Sequence, residues 1–105
     1  MRYRARIDAL LQRLPSPLLV TRSPNLRYLV GYTGSNGYLL LRPGAGVSFL
    51  TDGRYGESAG ALLEGLPVDL TVYGGDLWKA LGGMLAGLEK VGLEAGGVTW
   101  EFARG

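Results

Sequence analysis

Two stretches punctuate this chain: Asn25-Leu26-Arg27-Tyr28-Leu29-Val30-Gly31-Tyr32-Thr33-Gly34-Ser35-Asn36, and Thr51-Asp52-Gly53-Arg54-Tyr55. Between them lie two apolar runs, Gly37–Arg42 and Val47–Thr51, joined by Pro43-Gly44-Ala45-Gly46. Turn residues between two strand-like runs predict a β-hairpin. Leu39-Leu40-Leu41 is apolar on both faces of its strand, which places that strand centrally in a sheet.

The elements on either side follow from periodicity. Ile7, Leu10, Leu11 and Leu14 recur at helical spacing up to Pro15. Leu18–Thr21 reads as a buried strand. Ser23-Pro24 opens a short helix, with the Ser23 hydroxyl as N-cap and proline in the first turn. Gly31 ends that helix, because glycine takes the left-handed conformation without penalty. Asp52 is expected to cap a further helix through Tyr55, Ala59, Leu62, Leu63 and Leu66. Val68, Leu70 and Val72 alternate with polar residues, as in a half-exposed strand near an edge. Asp76 caps a helix carrying Leu77, Leu81, Leu85 and Leu88, in which Gly82, Gly83 and Gly87 would admit a close neighbour. Trp78 reads as a core or interface residue. Val91–Glu94 is a last strand, and Val98–Phe102 resembles the first turn of another helix. The end at Gly105 therefore reads as a cut within a longer frame. The fold class is α/β: a three-layer domain, with a mixed sheet of about five strands, one antiparallel hairpin and helices on both faces.

Composition narrows the chemistry. The 105 residues make one domain. There is no cysteine, which excludes disulfide and thiolate chemistry, and a reducing cytoplasm suits such a chain. There is no histidine, which removes the commonest general base and the commonest transition-metal ligand. The carboxylates do not cluster at metal-ligand spacing, so no catalytic or metal site is assigned to this chain. Eleven basic residues face nine acidic ones. Arg2, Arg4, Arg6, Arg13 and Arg22 fall early, but no aromatic-interleaved motif accompanies them, so they read as a solvated helix face and no nucleic-acid partner is expected. No apolar run reaches the roughly 18 residues of a membrane span, and no membrane partner is expected.

Glycines at 31, 34 and 37 do not form a dinucleotide fingerprint, because the loop follows a helix and precedes a strand. A helix cap and a tight turn account for Gly31, Gly34 and Gly37. Asp52 and Gly53 fit a cap and a turn. Ser35, Asn36 and Arg54 remain, and arginine suits bidentate contact with a carboxylate.

Asn25–Gly37 resembles the "N-x-R-Y-L-T-G-F-T-G-S-N-G" loop of the creatinase/prolidase family, and Thr51–Tyr55 resembles its "T-D-G-R-Y". Lys90-Val91-Gly92-Leu93-Glu94 and Val98–Phe102 are similar to the close of the same domain. Val30 stands for the usual threonine and Tyr32 for the usual phenylalanine. The resemblance implies the amino-terminal domain of an Xaa-Pro aminopeptidase or dipeptidase. In that family a second, carboxy-terminal "pita-bread" domain holds two divalent metals (manganese, cobalt or zinc) and hydrolyses proline-containing peptides, while the amino-terminal domain packs against a neighbouring subunit and limits access. The implied partners are that catalytic domain and a second copy in a homo-oligomer. Tyr32, Thr33, Ser35, Asn36, Arg54 and Tyr55 are the implied candidates for contact with the substrate's end or an interface. A free-standing binding module on the same fold, or the same domain from a creatinase-like hydrolase that is not a peptidase, is the alternative.

Overall fold

The computed structural model describes residues 2–94. The element order is α1 (Arg2–Arg13), β1 (Leu18–Val20), α2 (Ser23–Val30), β2 (Tyr38–Arg42), β3 (Gly46–Asp52), α3 (Gly56–Leu63), β4 (Val68–Tyr73), α4 (Leu77–Leu85) and β5 (Gly92–Leu93). The segment Val98–Phe102, read above as a helix start, lies outside the described residues.

The five strands form one sheet in the order β4-β3-β2-β1-β5. β2 is central and antiparallel to both neighbours, while β3–β4 and β1–β5 pair in parallel. It follows that β1, β3, β4 and β5 all run one way and end at the same rim of the sheet. Leu39, Leu40 and Leu41 are completely buried, as a central strand requires; each such leucine contributes about 2 kcal/mol through removal of its surface from water. β4 occupies an edge, as its alternating pattern predicts. β4 and β5 stand at opposite edges, so the chain from β4 through α4 to β5 spans the whole sheet.

One face of the sheet carries the main core. Leu18, Val20, Leu39, Leu41, Val47 and Phe49 meet Ile7, Leu10, Leu26, Leu29, Val30, Ala59 and Leu63 from α1, α2 and α3. Leu19, Leu40 and Leu50 are buried on the opposite face, and α4 buries Leu81.

α4 departs from the sequence reading. Trp78 is 77% exposed and is not a core residue here. A methyl group at Gly82, Gly83 or Gly87 would meet nothing within 4 Å, so these glycines admit no close neighbour among the described residues. Its cap is as expected: the Asp76 carboxylate accepts from the Trp78 amide at 2.9 Å and from the Lys79 amide at 3.4 Å.

Two other caps are corrected. Ser23 is the first residue of α2, and no side chain of the capping residue, Arg22, bonds the helix start. The carboxylate of Glu94, just after β5, lies against the approach to α2 and bonds the two residues that precede the helix. Its Oε1 accepts from the Thr21 and Arg22 amides and the Thr21 hydroxyl, and its Oε2 accepts from Asn25 Nδ2 at 2.9 Å. A negative group at a helix N-terminus is favoured by the unpaired amides there. Asp52 likewise caps no helix: it is the last residue of β3, and α3 begins four residues later without a side-chain cap.

Candidate functional site

Asp52 instead builds a local clamp. Its Oδ1 accepts from the Arg54 amide at 2.9 Å and from Arg54 Nε at 3.1 Å, and its Oδ2 accepts from Arg54 Nη2 at 2.8 Å. The guanidinium thus grips its own neighbour's carboxylate in a two-pronged fork. Asn36 Nδ2 donates to the same Oδ2 at 2.8 Å and to the Tyr73 hydroxyl at 2.6 Å. The two sequence motifs are therefore joined side chain to side chain, with β4 tied in through Tyr73.

Beneath them lies a buried polar knot. The hydroxyls of Tyr32 and Thr51 each lie 2.6 Å from the Asn36 carbonyl oxygen and 3.1 Å from one another. Thr51 is wholly buried and Tyr32 nearly so, so these bonds satisfy groups that water cannot reach. The Tyr32 ring packs edge-on against Phe49 at 4.8 Å and Tyr55 at 6.1 Å between centroids. Gly34 and Gly37 are required by this ring. A Cβ at Gly34 would fall on the Tyr32 hydroxyl, and one at Gly37 would sit 2.7 Å from both the Tyr32 and Phe49 rings. Gly31 is fixed differently, at φ 76°, where its amide and the next close the end of α2 on Arg27 and Leu26.

The candidate contact residues divide accordingly. Tyr32 is almost wholly buried and forms a floor under the site, its hydroxyl bonded inward. Thr33 and Ser35 are exposed, Asn36 and Tyr55 are half-buried, and Arg54 is exposed. Ser35 Oγ and the Tyr55 hydroxyl share a hydrogen bond at 2.6 Å, and the Arg54 guanidinium carbon lies 5.1 Å from the Tyr55 ring centre. Gly31, Tyr32, Thr33, Gly34, Tyr55, Ser58 and Leu62 line a shallow open depression of about 340 Å³ beside this group. Gly53 lies exposed in the turn between Asp52 and Arg54.

The electrostatics follow the bonds. Hydrogen bonds from Arg54, then Asn36, hold the Asp52 carboxyl well below the usual carboxylate range. Asp52 in turn pushes the Arg54 guanidinium up. The Ser35 hydrogen bond pulls the Tyr55 hydroxyl down, and burial pushes that of Tyr32 up. Asp52 and Arg54 are therefore a permanently charged pair near neutral pH and cannot trade a proton. Among the described residues no three carboxylates come together to hold a metal ion, and no described helix is long and apolar enough to cross a membrane. The arrangement can position and recognise.

The site lies at the rim where β1, β3, β4 and β5 end, the rim at which α/β sheets present their ligand-binding loops. A model of the Creatinase/Prolidase N-terminal domain matches residues 6–105, which include both motifs. The chain belongs to the creatinase/prolidase N-terminal domain family. It is 31% identical over 85 residues to the uncharacterized peptidase YqhT of Bacillus subtilis (strain 168), covering 79% of this chain and 23% of that protein. The N-terminal domain of the cytoplasmic peptidase PepQ from Mycobacterium tuberculosis H37Rv is 31% identical with a TM-score of 0.71, over 95% of this chain and 80% of that one. The aminopeptidase P, an Xaa-Pro aminopeptidase, from Streptococcus thermophilus is 27% identical with a TM-score of 0.66, over 98% of this chain and 79% of that one. The creatinase/prolidase N-terminal domain described here thus spans about a quarter of the YqhT sequence. Its relatives include the N-terminal domains of Xaa-Pro peptidases.

Sequence reasoning missed Tyr73 and Thr51 as partners of Asn36, and Glu94 as the partner of Thr21, Arg22 and Asn25. Glu94 stands inside a quoted motif, yet its role needs β5 beside β1, which spacing alone does not reveal.

Proposed function

We propose that this chain is the non-catalytic amino-terminal domain of a metal-dependent peptidase acting at Xaa-Pro bonds, where it shapes access to the substrate site and takes part in a homo-oligomer of the cytoplasmic enzyme. The observation that carries this reading is the state of Arg54. Its side chain is 68% exposed, while its partner Asp52 is only 17% exposed and anchored by Asn36. An exposed ion pair adds little to stability. A guanidinium held at a fixed angle, with donors left over, is instead suited to catching a carboxylate without losing side-chain freedom at that moment. The carboxy-terminal end of a proline-containing peptide, or an acidic group on a neighbouring subunit, has that chemistry.

In this reading the two divalent metals, manganese, cobalt or zinc, sit in the companion catalytic domain. There they would supply a hydroxide at neutral pH and polarise the scissile carbonyl. The sequence supports this division of labour, since it contains no histidine or cysteine. What this domain supplies is the rim formed by Thr33, Ser35, Asn36, Arg54 and Tyr55.

The test is Arg54→Ala in the full-length peptidase, assayed on Xaa-Pro substrates. KM should rise with kcat little changed, or the oligomer should weaken in sedimentation. Unchanged kinetics together with unchanged sedimentation would refute the role of Arg54. Xaa-Pro hydrolysis by the 105-residue chain with added manganese would refute its non-catalytic character.

A further inference from the structure

Asn36 is followed by Gly37, whereas the chain's other asparagine, Asn25, is followed by Leu26. Asparagine is among the thermolabile residues. It is most so before glycine, because a peptide nitrogen with no side chain beside it can reach the amide carbon and close a succinimide ring. The packing requires this pairing of residues. A Cβ at position 37 would sit 2.7 Å from both the Tyr32 and the Phe49 rings, so only glycine fits behind Asn36. The hydrogen bonds around Asn36 oppose ring closure. Nδ2 donates to Asp52 Oδ2 at 2.8 Å and to the Tyr73 hydroxyl at 2.6 Å. The Asn36 carbonyl oxygen accepts from the Tyr32 and Thr51 hydroxyls, each at 2.6 Å. The side-chain amide is thus held by β3 and β4, and the backbone carbonyl by the buried knot. Gly37 is itself buried, which keeps base from its amide while the loop is closed.

We propose that Asn36-Gly37 is a spontaneous modification site gated by the fold: Asn36 deamidates when the loop opens, and the product cannot rebuild the clamp that holds Arg54. This goes beyond the reading above and stands whatever Arg54 contacts. In the opened loop a base takes the Gly37 amide proton, and that nitrogen attacks Asn36 Cγ. The N–Cγ bond forms, the Cγ–Nδ2 bond breaks, and Nδ2 leaves with a proton as ammonia. Water then opens the ring at either carbonyl, leaving aspartate or isoaspartate, with no oxidation or reduction. The exchange turns Nδ2, a donor, into a carboxylate oxygen, which only accepts. The Tyr73 hydroxyl can turn and donate to it. The ionised Asp52 carboxylate cannot, and a second negative oxygen would face it where the 2.8 Å bond stood. In the isoaspartate the backbone runs through Cβ, and the carbonyl that Tyr32 and Thr51 hold no longer belongs to the peptide link.

Incubation of the intact protein near neutral pH, folded and in urea, followed by tryptic digestion and mass spectrometry, tests this gating. Asn36 falls in the peptide Tyr28–Arg54, since Pro43 blocks cleavage after Arg42, and Asn25 falls in Ser23–Arg27. The mass change of an NH2-to-OH exchange should build up in Tyr28–Arg54 about tenfold or more faster in urea than in the folded protein, where it awaits local opening. Ser23–Arg27 should convert far more slowly than Tyr28–Arg54 in urea. Asp52→Ala removes one acceptor of Nδ2 and should speed conversion of the folded protein by about tenfold. Asn36→Asp, the direct product, should lower the urea midpoint. Equal rates folded and in urea would overturn the gating, as would a folded Asp52→Ala that converts no faster than wild type. No conversion of Asn36 even in urea would remove the site, and an unchanged midpoint for Asn36→Asp would remove its effect on the clamp. The comparison with urea uses the unmodified protein and holds even where Asp52→Ala fails to fold.

Discussion

Asn36 Nδ2 donates to Asp52 Oδ2 across 2.8 Å and so binds the loop before β2 to the end of β3. The same oxygen receives Arg54, so one carboxylate holds both the scaffold and the exposed cation. The rigidity of the site therefore depends on Asp52 staying ionised.

This arrangement has a pH signature. Asp52 is held well below an unfolded value of about 3.9. Its ionisation contributes stability that is complete above that value and is lost as the pH falls below about 4 toward the folded pKa, because the unfolded chain then binds the proton first. Asp52→Asn should flatten the acid limb of stability against pH, and Asn36→Ala should flatten it in part. Urea midpoints measured between neutral pH and the acid limb check this. Superimposable acid limbs for wild type and Asp52→Asn would show that the clamp is not coupled to folding.

The glycines predict opposite signs. Gly34→Ala drives a methyl into the Tyr32 hydroxyl and Gly37→Ala into two rings, and overpacking of this kind costs about 1–3 kcal/mol. Gly82→Ala adds a methyl in open space on α4 and should stabilise by up to about 1 kcal/mol through helix propensity. Denaturant midpoints at fixed slope separate the two. A neutral Gly34→Ala would mean that Tyr32 does not keep its place in solution.

Glu94 predicts an effect on residues more than 65 positions away in the chain. Glu94→Ala strips the start of α2 of its acceptor and frees β5, a loss of about 1.5–3 kcal/mol for hydrogen bonds to a charged group. Glu94→Gln, which keeps one acceptor oxygen, should lose less. The Gly92 amide, bonded to the Pro17 carbonyl at 2.8 Å, should exchange faster in both. Equal stability of Glu94→Ala and wild type would show that this link is not coupled to folding.

The order of helices and strands was legible because each rests on local physics. The leucine triplet predicts a central strand, alternation in Val68–Tyr73 predicts an edge, and Gly31 predicts a left-handed helix end; all three hold. The capping signals of Ser23 and Asp52 misled for one reason. A short polar side chain before a helical pattern is a local signal; here the Asn25 and Leu26 amides bond the Arg22 carbonyl instead, and the Asp52 carboxylate is taken by Arg54 and Asn36. Trp78 reads as core or interface, and its exposure removes only the core half, because hydrophobic character says that burial is favourable and not which partner supplies it.

By itself the sequence determined the family, the alternation of helix and strand, the central place of β2, and the absence of histidine and cysteine from the chain's chemistry. Only the tertiary structure decided that Tyr32 is a floor, that Arg54 is already paired and yet exposed, and that Glu94 ties the end of β5 to the approach to α2. Periodicity and turn chemistry act between residues near in the chain, whereas hydrogen-bond partners at the rim of a sheet are chosen by which strands lie side by side.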